Sequence, residues 1–231
     1  MPFANIDGRP LHYVDQGEGF PVLLGHSYLW RSTMWEPQVA ALSQEFRVLV
    51  PELWGHGQSG PLPTGSRDLA DLSRQNLALL DTLGIQHCAI VGLSVGGMWG
   101  AELALAAPDR VKCLVLMDAY LGPEPARSRG LYFAMLDQIE KTGVIAAPLL
   151  DAIVPLLFRP GGDTSSAVRR TFRTELQDWP SDRLRDSVVP LGRMIFGRSD
   201  ARSRLIGLKR ESTLLLCGAE DIPRPPVRRD G

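Results

Sequence analysis

Apolar residues fall along this chain in two rhythms. Short continuous runs at 21–25, 46–50, 88–91, 111–117 and 212–218 are bounded by Gly, Pro or polar loop residues. They are too brief for helices and too uniformly apolar for half-exposed strands, so they predict strands buried on both faces. Ahead of them, Gly8-Arg9-Pro10 breaks two extended pieces, and 11–14 reads as the second arm of an opening hairpin. Between the runs the period lengthens. Leu69, Leu72, Asn76, Leu79, Leu80 and Leu83 recur at helical spacing within 66–83, and Gly84 closes that helix. Pro37 opens another helix over 37–44, and Pro108 ends one that follows residue 97. From about 130 to 208 the patterning is helical throughout, broken by Gly143, Pro148, Pro155, Pro160 and Pro180. Strands alternating with helices predict an α/β fold: a mostly parallel central sheet with helices on both faces. The helical stretch before the last strand predicts an inserted cap over the strand ends. The expected division is core over 1–118, cap over 119–208 and core again over 209–231.

Composition narrows this picture. A chain of 231 residues with 44% hydrophobic and 22% charged residues fits one globular α/β domain carrying an insertion. A formal net charge of −1 supplies no basic field, which argues against nucleic acid or an anionic membrane as partner. Arg224, Arg228 and Arg229 read as a solvated tail. Residues 1–8 show no secretory pattern, and no run reaches the roughly 18 apolar residues of a membrane span. Cys88, Cys113 and Cys217 lie in apolar runs without metal-ligand spacing, and predict buried, reduced thiols in a cytoplasmic protein. With no His pair at i, i+4 either, no metal and no cofactor is expected.

The chemistry centres on Gly92-Leu93-Ser94-Val95-Gly96, set between a strand and a helix. This spacing forms a nucleophile elbow: the serine sits in a strained turn, and the flanking glycines remove Cβ atoms that would collide across it. Alone, the pattern arises by chance in about one chain in ten of this length. Three further motifs accompany it in order: His26-Ser27-Tyr28 with Met34-Trp35 downstream, Gly55-His56-Gly57-Gln58-Ser59, and Gly218-Ala219-Glu220-Asp221-Ile222-Pro223. With all four in register, the chain resembles the α/β-hydrolase superfamily, in its branch of small esterases, lactonases and cofactor-free haloperoxidases.

The resemblance implies Ser94 as nucleophile and the backbone amides of Tyr28 and Val95 as the oxyanion hole. It implies Asp221 as the acid that orients a catalytic histidine, with Asp118 as the alternative. Trp30 lines the acyl pocket or packs in the core; Glu52 has a structural role in its loop. The substrate class implied is a small-molecule carboxylic ester, lactone or similar acyl compound. One element is missing. The family places its histidine after the acid and one further strand, yet His12, His26, His56 and His87 all precede Ser94. The resemblance therefore implies a chain that ends before its general base, last strand and last helix. His26 and His56, in loops at the correct rim of the sheet, are structural turn residues in the resemblance, and are the only internal alternatives for the base. A non-catalytic binding protein on the same fold is the competing expectation.

Overall fold

The computed structural model describes residues 2–162 and 166–223. The arginines at 224, 228 and 229 lie outside the described residues. Seven strands form one sheet in the order β1-β2-β4-β3-β5-β6-β7. β1 (Phe3–Ile6) and β2 (Arg9–Gln16) make the antiparallel opening hairpin, and β2 also pairs antiparallel with β4. From there β3 (Phe20–Gly25), β4 (Phe46–Pro51), β5 (Cys88–Leu93), β6 (Val111–Met117) and β7 (Thr213–Leu216) run parallel. Parallel neighbours need crossovers, and these bring the C-terminal ends of β3 to β7 to one rim.

The helices cover the two faces unequally. α2 (Leu69–Thr82) and α3 (Val95–Ala106) pack on the face carrying Leu23, Leu49, Ile90, Leu114 and Leu116. α1 (Glu36–Leu42) covers Val22, Leu24, Val48 and Val50 on the other. The expected helix over 66–83 begins at Leu69, because Asp68 is the residue that caps it: its Oδ1 accepts from the amides of Ala70 and Asp71 at 2.9 and 3.1 Å.

Beyond α1 the second face opens. Val91 and Leu93 are only half-buried, and Cys113 is exposed. Leu214, Leu215 and Leu216 of β7 are 51%, 71% and 45% exposed. This corrects the reading of the cysteines. Cys88 is buried and its thiol pKa is pushed up to about 11 by burial, but Cys113 and Cys217 are exposed. An apolar run records strand character, and says nothing of whether a helix lies over each face of that strand.

Between β6 and β7 the chain is helical. It forms α4 (Ala126–Thr142), α5 (Ala147–Ile153), α6 (Ala167–Gln177) and the single turn α7 (Ser181–Arg183). α7 runs through a π-helical segment (Leu184–Val188) into α8 (Val189–Phe196). Pro190, with no N–H to donate, sits where that widened segment gives way to α8, so the ladder is interrupted there at no further cost. Among the described residues no helix is long and apolar enough to cross a membrane.

Candidate active site

Ser94 stands at the C-terminal end of β5 with φ 54° and ψ −120°, a conformation that costs a non-glycine residue free energy and persists only where surroundings enforce it. Two features enforce it. Its N–H donates to Met117 O at 2.9 Å and its carbonyl accepts from Met98 N at 3.0 Å. The glycines around it allow β3, β5 and α3 to touch: a Cβ on Gly92 would stand 2.3 Å from Gly96 C, and one on Gly96 only 2.1 Å from Gly25 O. Val95 follows as the first residue of α3, so its N–H has no acceptor within the helix.

Tyr28 comes from the loop after β3, which is stitched to the loop after β4 by two imidazoles. His26 Nε2 accepts from Leu53 N at 2.9 Å, and His56 Nε2 accepts from Leu29 N at 3.1 Å. Each ring's Nδ1 then donates to a carbonyl of its own loop, Ser27 O for His26 and Trp54 O for His56, both at 2.9 Å. An Nε2 that accepts from an amide carries no proton, so both rings are neutral. Burial works in the same direction, holding His26 below its usual pKa and pushing His56 down to about 3. This scaffold fixes Leu29 at φ 69° and with it the adjacent Tyr28 amide. The Tyr28 phenol crosses to the helical insertion, donating to Val188 O at 2.7 Å, and burial raises its pKa. Glu52 anchors the same loops: it accepts from Ser32 Oγ (2.6 Å), Gln58 N (2.7 Å) and His12 Nδ1 (2.7 Å). These bonds hold its carboxyl below the usual range against its burial, which works the other way.

These pieces face a cavity of about 710 Å³, lined by Ser94, Tyr28, Trp30, Asp118 and Asp221 together with apolar side chains of the insertion. That size suits a small organic ligand. Trp30 lines the cavity and stacks on Phe172 with ring centroids 4.4 Å apart. Val95 is fully buried and is not part of the lining.

On the far side Asp118 ends β6 at φ 45°, and its Oδ1 accepts from Gly218 N at 2.7 Å. Asp221 lies in the turn after β7, where its N–H donates to Gly218 O at 3.1 Å. The parallel pairing of β6 with β7 brings Asp118, Cys217 and Asp221 together, their ligand-type atoms all within 4.8 Å of one another. Spacing alone does not join Asp118 to Cys217 and Asp221, which lie about a hundred positions further on.

None of the four histidines lines the cavity. The ring nitrogens of His26 and His56 are used in the scaffold. His12 is buried against Glu52 on β2, and exposed His87 precedes β5 at the rim opposite Ser94, with its Nδ1 3.0 Å from Asp109 O. His26 and His56 thus tie the two loops together, and neither ring keeps a free nitrogen to serve as the base.

A strained serine between a strand and a helix, at the rim of a parallel sheet under a helical insertion, defines a protein class, and the chain belongs to it: the alpha/beta hydrolase fold family, whose model matches residues 20–140. It is similar to a hydrolase from Pseudomonas aeruginosa PA01 at 30% identity and TM-score 0.80, over 94% of this chain and 80% of that one. A thermophilic esterase from Thermogutta terrifontis is 25% identical with TM-score 0.83, over 98% of this chain and 83% of that one. Over 120 residues it is 33% identical to a protein named "Putative carbamate hydrolase RutD" from Azorhizobium caulinodans, a match covering 52% of this chain and 45% of that one. The chain thus spans about half the length of the curated relatives it matches.

Proposed function

We propose that the cavity is the active site of a serine hydrolase that cleaves a carboxylic ester, lactone or similar acyl substrate through an acyl-enzyme on Ser94. The observation that carries this reading is the strained Ser94 backbone, which sets the residue in the cavity wall beside the Tyr28 loop. In the proposed reaction Ser94 Oγ attacks the substrate carbonyl, and the Tyr28 and Val95 amides stabilise the oxyanion that forms. Losing one such donor costs roughly 3–4 kcal/mol of transition-state stabilisation. A base from outside this chain's histidines, hydroxide or an added imidazole, takes the Oγ proton; the leaving oxygen takes up a proton as the tetrahedral intermediate collapses to the acyl-enzyme, and water then releases the acid and restores the Ser94 hydroxyl. Asp221, with Asp118 beside it, would orient the protonated base, and Trp30 would line the acyl pocket. The reading keeps the division into core (1–118), cap (119–208) and resumed core (209–231), a small-molecule substrate, and no part for nucleic acid or membrane. The free thiols remain in keeping with a cytoplasmic setting.

The base is the open element of the chemistry. Because all four histidines are held elsewhere, this chain by itself would retain only the roughly 10³–10⁴-fold acceleration that an oxyanion hole and binding give without a triad. That same observation favours a second reading, a ligand-binding protein on a hydrolase scaffold. Turnover of p-nitrophenyl acetate with and without added imidazole separates the two. If Ser94 is a nucleophile short of a base, imidazole restores turnover in the parent and does nothing for Ser94→Ala. Equal behaviour of parent and variant under both conditions leaves the binding reading.

A further inference from the structure

Tyr28 sits on a loop of the core, and its phenol reaches into the helical insertion. The ring is buried between His56 and Phe196, with centroids 5.5 and 5.9 Å away, and the hydroxyl donates to Val188 O at 2.7 Å. Val188 ends the π-helical segment, which is docked on the core beside it: Ser187 Oγ accepts from Leu62 N at 3.0 Å, and Arg183 Nη1 donates to Gly57 O at 3.2 Å. Gly192, one turn further along α8, leaves the space the phenol fills. A Cβ there would stand 2.6 Å from Tyr28 Oη and 2.8 Å from Leu136 Cδ2. Leu136 belongs to the cavity wall, as do Ile195 and Phe196 of α8. The phenol is therefore gripped by the same two helices, α4 and α8, that a ligand in the cavity touches. Packing alone asks only for a phenylalanine here; the hydroxyl adds a directed bond.

We propose that Tyr28 is a positioning residue, whose phenol holds the Tyr28 backbone N–H on the oxyanion by tying it to the insertion. The inference rests on reading the cavity as the active site of a Ser94 hydrolase, and adds that the insertion sets the oxyanion hole as well as covering the substrate. The peptide unit that carries this N–H is held at its far end, where Ser27 O accepts from His26 Nδ1 at 2.9 Å and from Trp30 N at 3.2 Å. The next unit is held by His56 through Leu29 N. Those bonds lie within the core loops. The phenol starts from the Cα between the two units, and makes the aim of the N–H depend on where α8 lies. Leu136, against the same glycine, extends that dependence to the presence of a ligand. Losing an oxyanion donor outright costs roughly 100- to 1,000-fold, and a misplacement of about 1 Å can cost about 100-fold. A donor that stays but loses one anchor should cost about 10-fold.

The test uses two ketones of one shape, 1,1,1-trifluoro-2-octanone and 2-octanone, titrated into the whole chain with imidazole present. Ser94 Oγ adds to the activated carbonyl of the first: the Oγ–C bond forms, the carbonyl pair moves onto the oxygen, and the Oγ proton passes to imidazole. The second binds without adding. The parent should bind the trifluoro ketone at least about 100-fold more tightly, and Ser94→Ala should lose that preference. Tyr28→Phe keeps the ring and the backbone; it should weaken the trifluoro ketone about 10-fold and leave 2-octanone unchanged. Gly192→Ala, which crowds the phenol from its place, should weaken the trifluoro ketone by a similar factor, and adding it to Tyr28→Phe should cost nothing further. A phenol that only stabilises the fold would lower the urea midpoint of Tyr28→Phe and affect neither ketone. That result overturns the assignment, as does equal weakening of both ketones or an additive loss in the double variant. A parent with no preference for the trifluoro ketone overturns the Ser94 reading and this inference together. A preference lost in Ser94→Ala but untouched in Tyr28→Phe overturns this inference alone.

Discussion

Ser94 and Asp221 face one cavity from strands whose surroundings differ. Around Ser94 the backbone is over-determined. Two strands and a helix meet through glycines with no room for a Cβ, and two buried imidazoles bind the neighbouring loops together. Around Asp221 the sheet is ending. β7 pairs with β6 on one side only among the described residues, its leucines are largely exposed, and one carboxylate–amide bond from Asp118 to Gly218 steadies the turn. Stabilising an oxyanion requires fixed dipoles before the substrate arrives, and under the proposed function the rigid first region is where they would be held. Moving a proton requires a base within hydrogen-bond reach of the serine, and the second region holds two carboxylates without a histidine beside them. A rigid backbone around Ser94 and a base beside it are thus separate requirements, and the described residues meet only the first.

The sharpest way to break the comparison is a methyl group on each side. Gly96→Ala places a Cβ against Gly25 O and should cost at least about 3 kcal/mol or abolish folding. Gly218→Ala, where the nearest atom is 3.8 Å away, should stay within about 0.5 kcal/mol. Urea denaturation of both variants checks this.

Acid should act on the same side. His26 and His56 are held below the unfolded value of 6.5, so between that value and the folded one the unfolded chain binds more protons. Their contribution to stability is complete above pH 6.5 and is lost as pH falls, for His56 until about 3, with a slope of about 1.4 kcal/mol per pH unit for each. Glu52, also held low, adds to the loss only below its unfolded value of 4.5. Urea midpoints measured from pH 7 to 4 should show the decline, and His56→Ala should flatten it while lowering stability at pH 7.

On the Asp221 side effects should be small. Asp118→Ala frees an exposed Gly218 N–H to bond water, and should cost about 1 kcal/mol or less by thermal melting. Leu215→Lys, at a site 71% exposed, should leave the melting temperature nearly unchanged and reduce aggregation measured by light scattering.

The same contrast governs what the sequence could show. The Ser94 region is local: strand, turn and helix are contiguous, and the glycine spacing that permits the turn is written in one ten-residue stretch. The sheet followed for a similar reason, since each buried strand carries its own apolar run. What was hidden depends on long-range pairing. The roles of His26 and His56 appear only when two loops are brought together, and either could have been read as a base until both ring nitrogens were accounted for. The contact of Asp118 with Cys217 and Asp221 joins segments about a hundred positions apart; the resemblance offered the two aspartates as alternatives, and only the strand pairing shows them side by side. The exposure of Cys113 and Cys217 was missed because hydrophobicity along a strand carries no record of which helices cover it.

The central claim is that Ser94 is preorganised but has no histidine to activate it within this chain. The rate of Ser94 labelling by a fluorophosphonate between pH 6 and 9 tests it most directly. Without a base, the rate should rise in proportion to hydroxide, about tenfold per pH unit and with no plateau, and should vanish in Ser94→Ala. A sigmoidal profile levelling near pH 7 would mean that an imidazole in this chain already activates Ser94, and would contradict the account.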